Sequence, residues 1–130
     1  MEKYVINGFE VEYDTFDLGS MEKLEKAVKK VVENSTTAEE AAADRINENE
    51  LDTIRRICEA MLRFFDEVLG EGAARELFGD RVNFRVIMEA YRKFNEDVKA
   101  NTREAVQALT GKESVYENAG KAAVNFRKLP

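Results

Sequence analysis

The chain has 130 residues, 44% hydrophobic and 35% charged, with a net charge of -6, no His, no Trp and a single Cys. That length suits one domain around one core. The missing histidine removes the usual zinc sites, Ser-His-Asp chemistry and Cys-His nucleophiles, and a lone cysteine excludes an intramolecular disulfide. Acidic side chains concentrate between Met1 and Asp52, which counts against the concentrated basic surface that nucleic-acid binding needs, so a protein partner is the expectation.

In chain order, "YVINGFEVEYD" predicts a hairpin over 3–14, because Asn7-Gly8 supplies the positive φ angles of a type I′ turn between two alternating runs. The register pairs Ile6 with Phe9, Tyr4 with Val11 and Lys3 with Glu12, and places Tyr4, Ile6, Phe9, Val11 and Tyr13 on one apolar face. Met21, Leu24, Val28 and Val31 or Val32 follow helical spacing over about 21–34, with Ser20 as the N-cap. "ENSTTAEE" then favours caps and turns, and Thr36 to Glu39 or Thr37 to Glu40 fits a capping box, so a second helix is predicted over about 38–69.

From Leu51 onward that helix carries a wide apolar band, which implies burial on more than one side. Gly70 and Gly72 suit its end, "AARELFG" gives a short helix over about 73–78, and Asp80 or Asn83 caps a last helix over about 83–108. This last helix is expected to fold back antiparallel on the second. The fold class is therefore α+β, mainly helical: an N-terminal β-hairpin followed by three to four helices with a long antiparallel helix pair. Residues 1–109 form a single domain, and 110–130 form a polar tail, either helical or mobile, ordered only against a partner.

Residues that look chemical have plainer readings. Cys58 lies on the apolar stripe with no histidine available, and behaves there as a small hydrophobe. Asp66, Glu67 and Glu71 lack the spacing of a calcium loop and read as solvated helix-end carboxylates. "GEG" has neither a Walker pattern nor a preceding parallel strand, so it reads as helix termination. Arg85, Arg92, Lys99 and Arg103 interleave with Glu89 and Glu96 as an ion-pair face. No enzyme activity, cofactor or metal is expected.

"FFDEVLGEGAARELFG" reads as a structural corner. Phe64, Phe65, Leu69, Leu77 and Phe78 pack the helix reversal, and Gly70, Gly72 and Gly79 permit it. The apolar hairpin face and the two-sided band of the second helix are covered either within a monomer or by another subunit or a client. The partner surface is expected to include Phe9, Val11 and Tyr13 of the hairpin, or Val115, Tyr116 and Phe126 of the tail. "MEKYVING" carries no basic-then-apolar signal pattern, and no run approaches the roughly 18 apolar residues of a membrane span, so a cytoplasmic location without membrane contact is expected.

"ICEAMLRFFDEVLGEGAARELFG" followed by "VNFRVIMEAYRKF", after a hairpin of the type "INGFEVEYD", resembles a family of small uncharacterised proteins from the tail-gene modules of long-tailed phages and prophages of Gram-positive bacteria. The resemblance covers roughly Ile6 to Val98 and rests on Cys58-Glu59, Phe64-Phe65-Asp66, Gly70-Glu71-Gly72 and Leu77-Phe78-Gly79. By gene position such proteins are similar to tail assembly chaperones, which keep the tape measure protein soluble, recruit tail tube subunits and leave the finished virion. The resemblance implies a homo-oligomeric, non-enzymatic tail assembly factor in the cytoplasm of a bacterial host, with tape measure and tail tube proteins as partners. The alternative it leaves open is a structural virion component, such as a small tail or connector protein. Many tail chaperones also have a longer frameshifted form.

Overall fold

The computed structural model describes residues 1–44 and 50–110, with side chains over 1–35 and 50–110. The fold is α+β and mainly helical. Strands β1 (Glu2–Ile6) and β2 (Phe9–Tyr13) form an antiparallel hairpin, and helices α1 (Leu18–Asp44), α2 (Glu50–Leu69), α3 (Ala73–Phe78) and α4 (Phe84–Thr110) follow among the described residues. The chain divides into two compact units, Met1–Glu96 and Asp97–Pro130.

In the first unit, Asn7 and Gly8 take φ of 48° and 83°, the left-handed pair that a two-residue hairpin turn requires. The pairing is Ile6 with Phe9, Tyr4 with Val11 and Lys3 with Glu12, as the alternation predicts, and it extends to Glu2 with Tyr13. Behind β2 the chain is pinned at Thr15. Its amide donates to Glu2 Oε1 at 3.0 Å, and its hydroxyl is hydrogen-bonded to that of Tyr4 in the interior. Desolvation pushes the Glu2 carboxyl up, but the Thr15 amide and hydroxyl and the N-terminal ammonium outweigh it, and the balance lies below the ordinary value.

Helix α1 begins at Leu18 rather than Met21, and its cap is Asp17, not Ser20: Asp17 Oδ2 accepts the Ser20 amide at 2.9 Å. It also runs through Thr36 and Thr37 to Asp44, past the break that the capping residues predict, and α2 starts only at Glu50. The reason is energetic. Asn, Ser and Thr inside a helix each cost about half a kcal/mol relative to Ala, and no Gly or Pro stands between Gly19 and Gly70 to force an end.

The long antiparallel pair is α1 with α2, rather than α2 with α4. The ion pair Lys30–Glu67, at 3.3 Å, joins residues at similar sequence distances from the end of α1 at Asp44 and the start of α2 at Glu50. Small side chains explain the choice. Ala27 and Val31 of α1 and Ala60 of α2 are buried and let backbones approach, and α1 lies closest to α2. By contrast, α4 meets α2 through rings. Phe64 lies 4.8 Å from Tyr91 and 6.1 Å from Phe94, centre to centre.

Phe94 is fully buried and is the hub of the first unit's core. Its ring centre lies 5.3 Å from Tyr4 and 5.6 Å from Tyr13 in the hairpin, and 6.4 Å from Phe65 in α2. The two tyrosine contacts are edge-to-face, an arrangement worth about 0.5–1.5 kcal/mol each beyond burial. One side chain from α4 thus fastens the hairpin to α2. In the second unit, the described part of α4 has the Thr102 and Thr110 hydroxyls donating to the Val98 and Val106 carbonyls at 2.9 and 2.8 Å.

Candidate partner-binding surface

The hairpin presents an inner and an outer end of the same face. Tyr4, Ile6 and Tyr13 are buried, Val11 is half-buried, and Phe9 is 48% exposed. Tyr13, expected at a partner surface, belongs instead to the core. Its hydroxyl donates to the Ser20 carbonyl at 2.8 Å, and burial, then the neighbouring Tyr4, Asp14 and Asp17, pushes its pKa up. Phe9 and Val11 are therefore accessible from outside and Tyr13 is not. Val115, Tyr116 and Phe126 lie outside the described residues.

The helical corner stands beside the exposed end of the hairpin. Phe64, Phe65 and Leu77 are buried, Leu69 and Phe78 half-buried, and the rings of Phe65 and Phe78 lie 5.2 Å apart. Gly70, Gly72 and Gly79 take φ of 116°, 87° and 70°, a region that side chains with a Cβ rarely enter. Asp66, one of the clustered carboxylates, is a structural residue. Its Oδ1 accepts the Ala74 amide at 2.9 Å and caps α3 from the preceding helix.

Among the described residues, a hydrogen bond joins the two parts. Asn7 Nδ2 in the hairpin turn donates to the Leu77 carbonyl of α3 at 2.8 Å. Between β2 and the corner this leaves an open groove of about 270 Å³, with Val11, Leu69, Ala73 and Leu77 as apolar walls and Glu10, Glu12 and Glu76 along it. Nothing in the spacing of Leu69, Ala73 and Glu76 points to this role. The bond that assembles the groove spans residues too far apart for periodicity to connect.

A profile described as a family of unknown function, DUF6673, matches residues 7–122. The chain belongs to the DUF6673 family. No curated protein and no solved structure matches it. The DUF6673 match starts in the hairpin turn at Asn7, so it takes in β2, the helical corner and the groove between them.

Cys58 is buried, and its thiol pKa is pushed up by burial and then by the Glu59 charge, the reverse of an activated nucleophile. It floors a second groove of about 430 Å³ with Leu51, Ile54, Leu62, Val82 and Phe84. Arg92 and Glu96 pair at 3.9 Å on the exposed side of α4. Among the described residues no three His, Cys, Asp or Glu side chains gather as metal ligands, and no helix is long and apolar enough to cross a membrane.

Proposed function

We propose that this protein is a non-enzymatic phage or prophage tail assembly factor, similar to tail assembly chaperones, which binds tape measure or tail tube protein in the bacterial cytoplasm and works as a homo-oligomer. The observation that carries the proposal is the half-exposed Phe9 beside Val11 on the groove between β2 and the α2–α3 corner. A chaperone needs an apolar surface for its client, guarded by charge, and an acidic N-terminal part limits non-specific aggregation while that surface is open. The likeness of the corner residues to tail-module proteins supplies the choice of client.

The experiment is an affinity pull-down of the tagged chain from cells expressing the neighbouring tail genes, with bound proteins identified by mass spectrometry. Recovery of a tape measure or tail tube protein, lost in a folded Phe9→Glu, Val11→Glu double variant, is the expected outcome. Recovery of the chain alone, together with its presence in purified particles, overturns the proposal in favour of a structural virion component.

A further inference from the structure

We infer that the free edge of β2 accepts an extended segment of a partner protein as a third strand, one in which apolar residues alternate with Lys or Arg. The inference deepens the proposal above and rests on it only in taking the partner to be a protein.

The hairpin has two strands, so among the described residues the far edge of β2 has no neighbouring strand. In a two-residue hairpin the pair flanking the turn, Ile6 and Phe9, is hydrogen-bonded, and the pairs alternate from there. The backbone N–H and C=O groups of Glu10 and Glu12 therefore point away from β1, and these two residues line the groove. An edge of unpaired backbone groups is a template for another strand.

The opposite wall sets the incoming side chains. On β2, Phe9 and Val11 share the face that meets the helices, and Glu10 and Glu12 share the other. An added strand continues both faces. Its inward residues lie beside Val11 and against Leu69, Ala73 and Leu77, and its outward residues stand next to Glu10 and Glu12. Glu12 and Glu76 have no ion-pair partner among the described residues. Glu10 has only an exposed contact with Lys3 at 3.7 Å, a weak pair that leaves it able to meet a second cation.

The same charges argue against a second copy of this strand as the occupant. Two β2 edges side by side bring Glu10 and Glu12 against their own kind, which opposes pairing. The groove is also open along a strand edge, as suits one extended chain. Asn7 holds the turn to Leu77, so the groove exists before the segment arrives.

The test uses the full chain and a fluorescent, end-blocked nonapeptide of alternating Lys and Val. Anisotropy should show saturable binding, and amide exchange followed by NMR should slow at Glu10 and Glu12. N-methylation of the peptide amides on one edge should weaken binding by about tenfold or more, because it removes backbone bonds and leaves charge intact. A peptide of the same composition in block order should bind comparably weakly, and Glu12→Gln with Glu76→Gln should reduce affinity and its salt dependence. Absence of binding, equal binding by the N-methylated or block peptide, or unchanged exchange at Glu10 and Glu12 overturns the inference. Peptide binding without recovery of any tail protein in the pull-down keeps the strand site and removes the tail-assembly reading; the reverse result keeps the reading and removes the site.

Discussion

Asn7 reaches across 70 residues of sequence to donate its side-chain amide to the Leu77 carbonyl, and so ties the hairpin turn to the helical corner. The same residue holds φ at 48°, a conformation that asparagine and glycine tolerate. Asn7→Gly keeps the turn and deletes the tie. The expected cost is about 1 kcal/mol in urea unfolding, with faster amide exchange along β2 than in α2. An unchanged β2 exchange pattern would show that the bond does not hold the hairpin.

Phe94 and Phe9 give the sharpest contrast between core and surface. Phe94→Ala removes the ring shared by Tyr4, Tyr13, Phe64 and Phe65, and should cost about 3–5 kcal/mol, a large share of a domain's total stability. Phe9→Ala, on a half-exposed side chain, should change stability by about 0.5 kcal/mol or less. Denaturant midpoints for the two variants settle the ordering.

Asp66 caps a helix to which it does not belong. Asp66→Ala leaves the Ala74 amide without its partner and should cost about 1 kcal/mol, with the loss concentrated in α3. Asp66→Asn keeps an acceptor oxygen and should recover part of it. Thermal melts of the two variants beside the parent chain make the comparison.

Alkaline pH should destabilise the fold in a predictable order. Burial raises the folded pKa of Cys58 above its ordinary value of about 9, and those of Tyr13 and Tyr91 above about 10. A raised folded pKa means that the unfolded state gives up its proton first. The stability from these groups is therefore complete below about pH 9 and lost as pH rises through the folded values. Urea midpoints should fall from about pH 9 upward, and Cys58→Ala should flatten the first part of that fall even where it lowers stability overall.

The hairpin and the corner are legible in the sequence because each is written in local chemistry. Asn7-Gly8 fixes the turn and thereby every pair in the ladder, and the positive-φ glycines mark the reversal after Leu69. The break expected at Thr36 fails because capping residues permit a helix start without compelling one. The choice of helix pair is hidden for another reason: Ala27 and Phe94 both read as core, and only their sizes decide which backbones come close. Tyr13 follows the alternation correctly but lies at the buried end of its face. Alternation assigns a side of the strand, not a depth.

The Tyr4–Phe94 contact also orders events in time. Synthesis delivers Tyr4, Ile6 and Tyr13 first and Phe94 much later, and a lone two-stranded hairpin is only marginally stable in water. Until Phe94 has left the ribosome, β2 has neither its ring anchor nor a complete core to rest on. The edge carrying Phe9 and Val11 therefore gains that anchor only after Phe94 is made, although its own residues precede Phe94 by more than 80 positions. A chain that ends before Phe94 keeps the Asn7 and Leu77 partners of the groove but lacks the ring that seats Tyr4 and Tyr13 in the core.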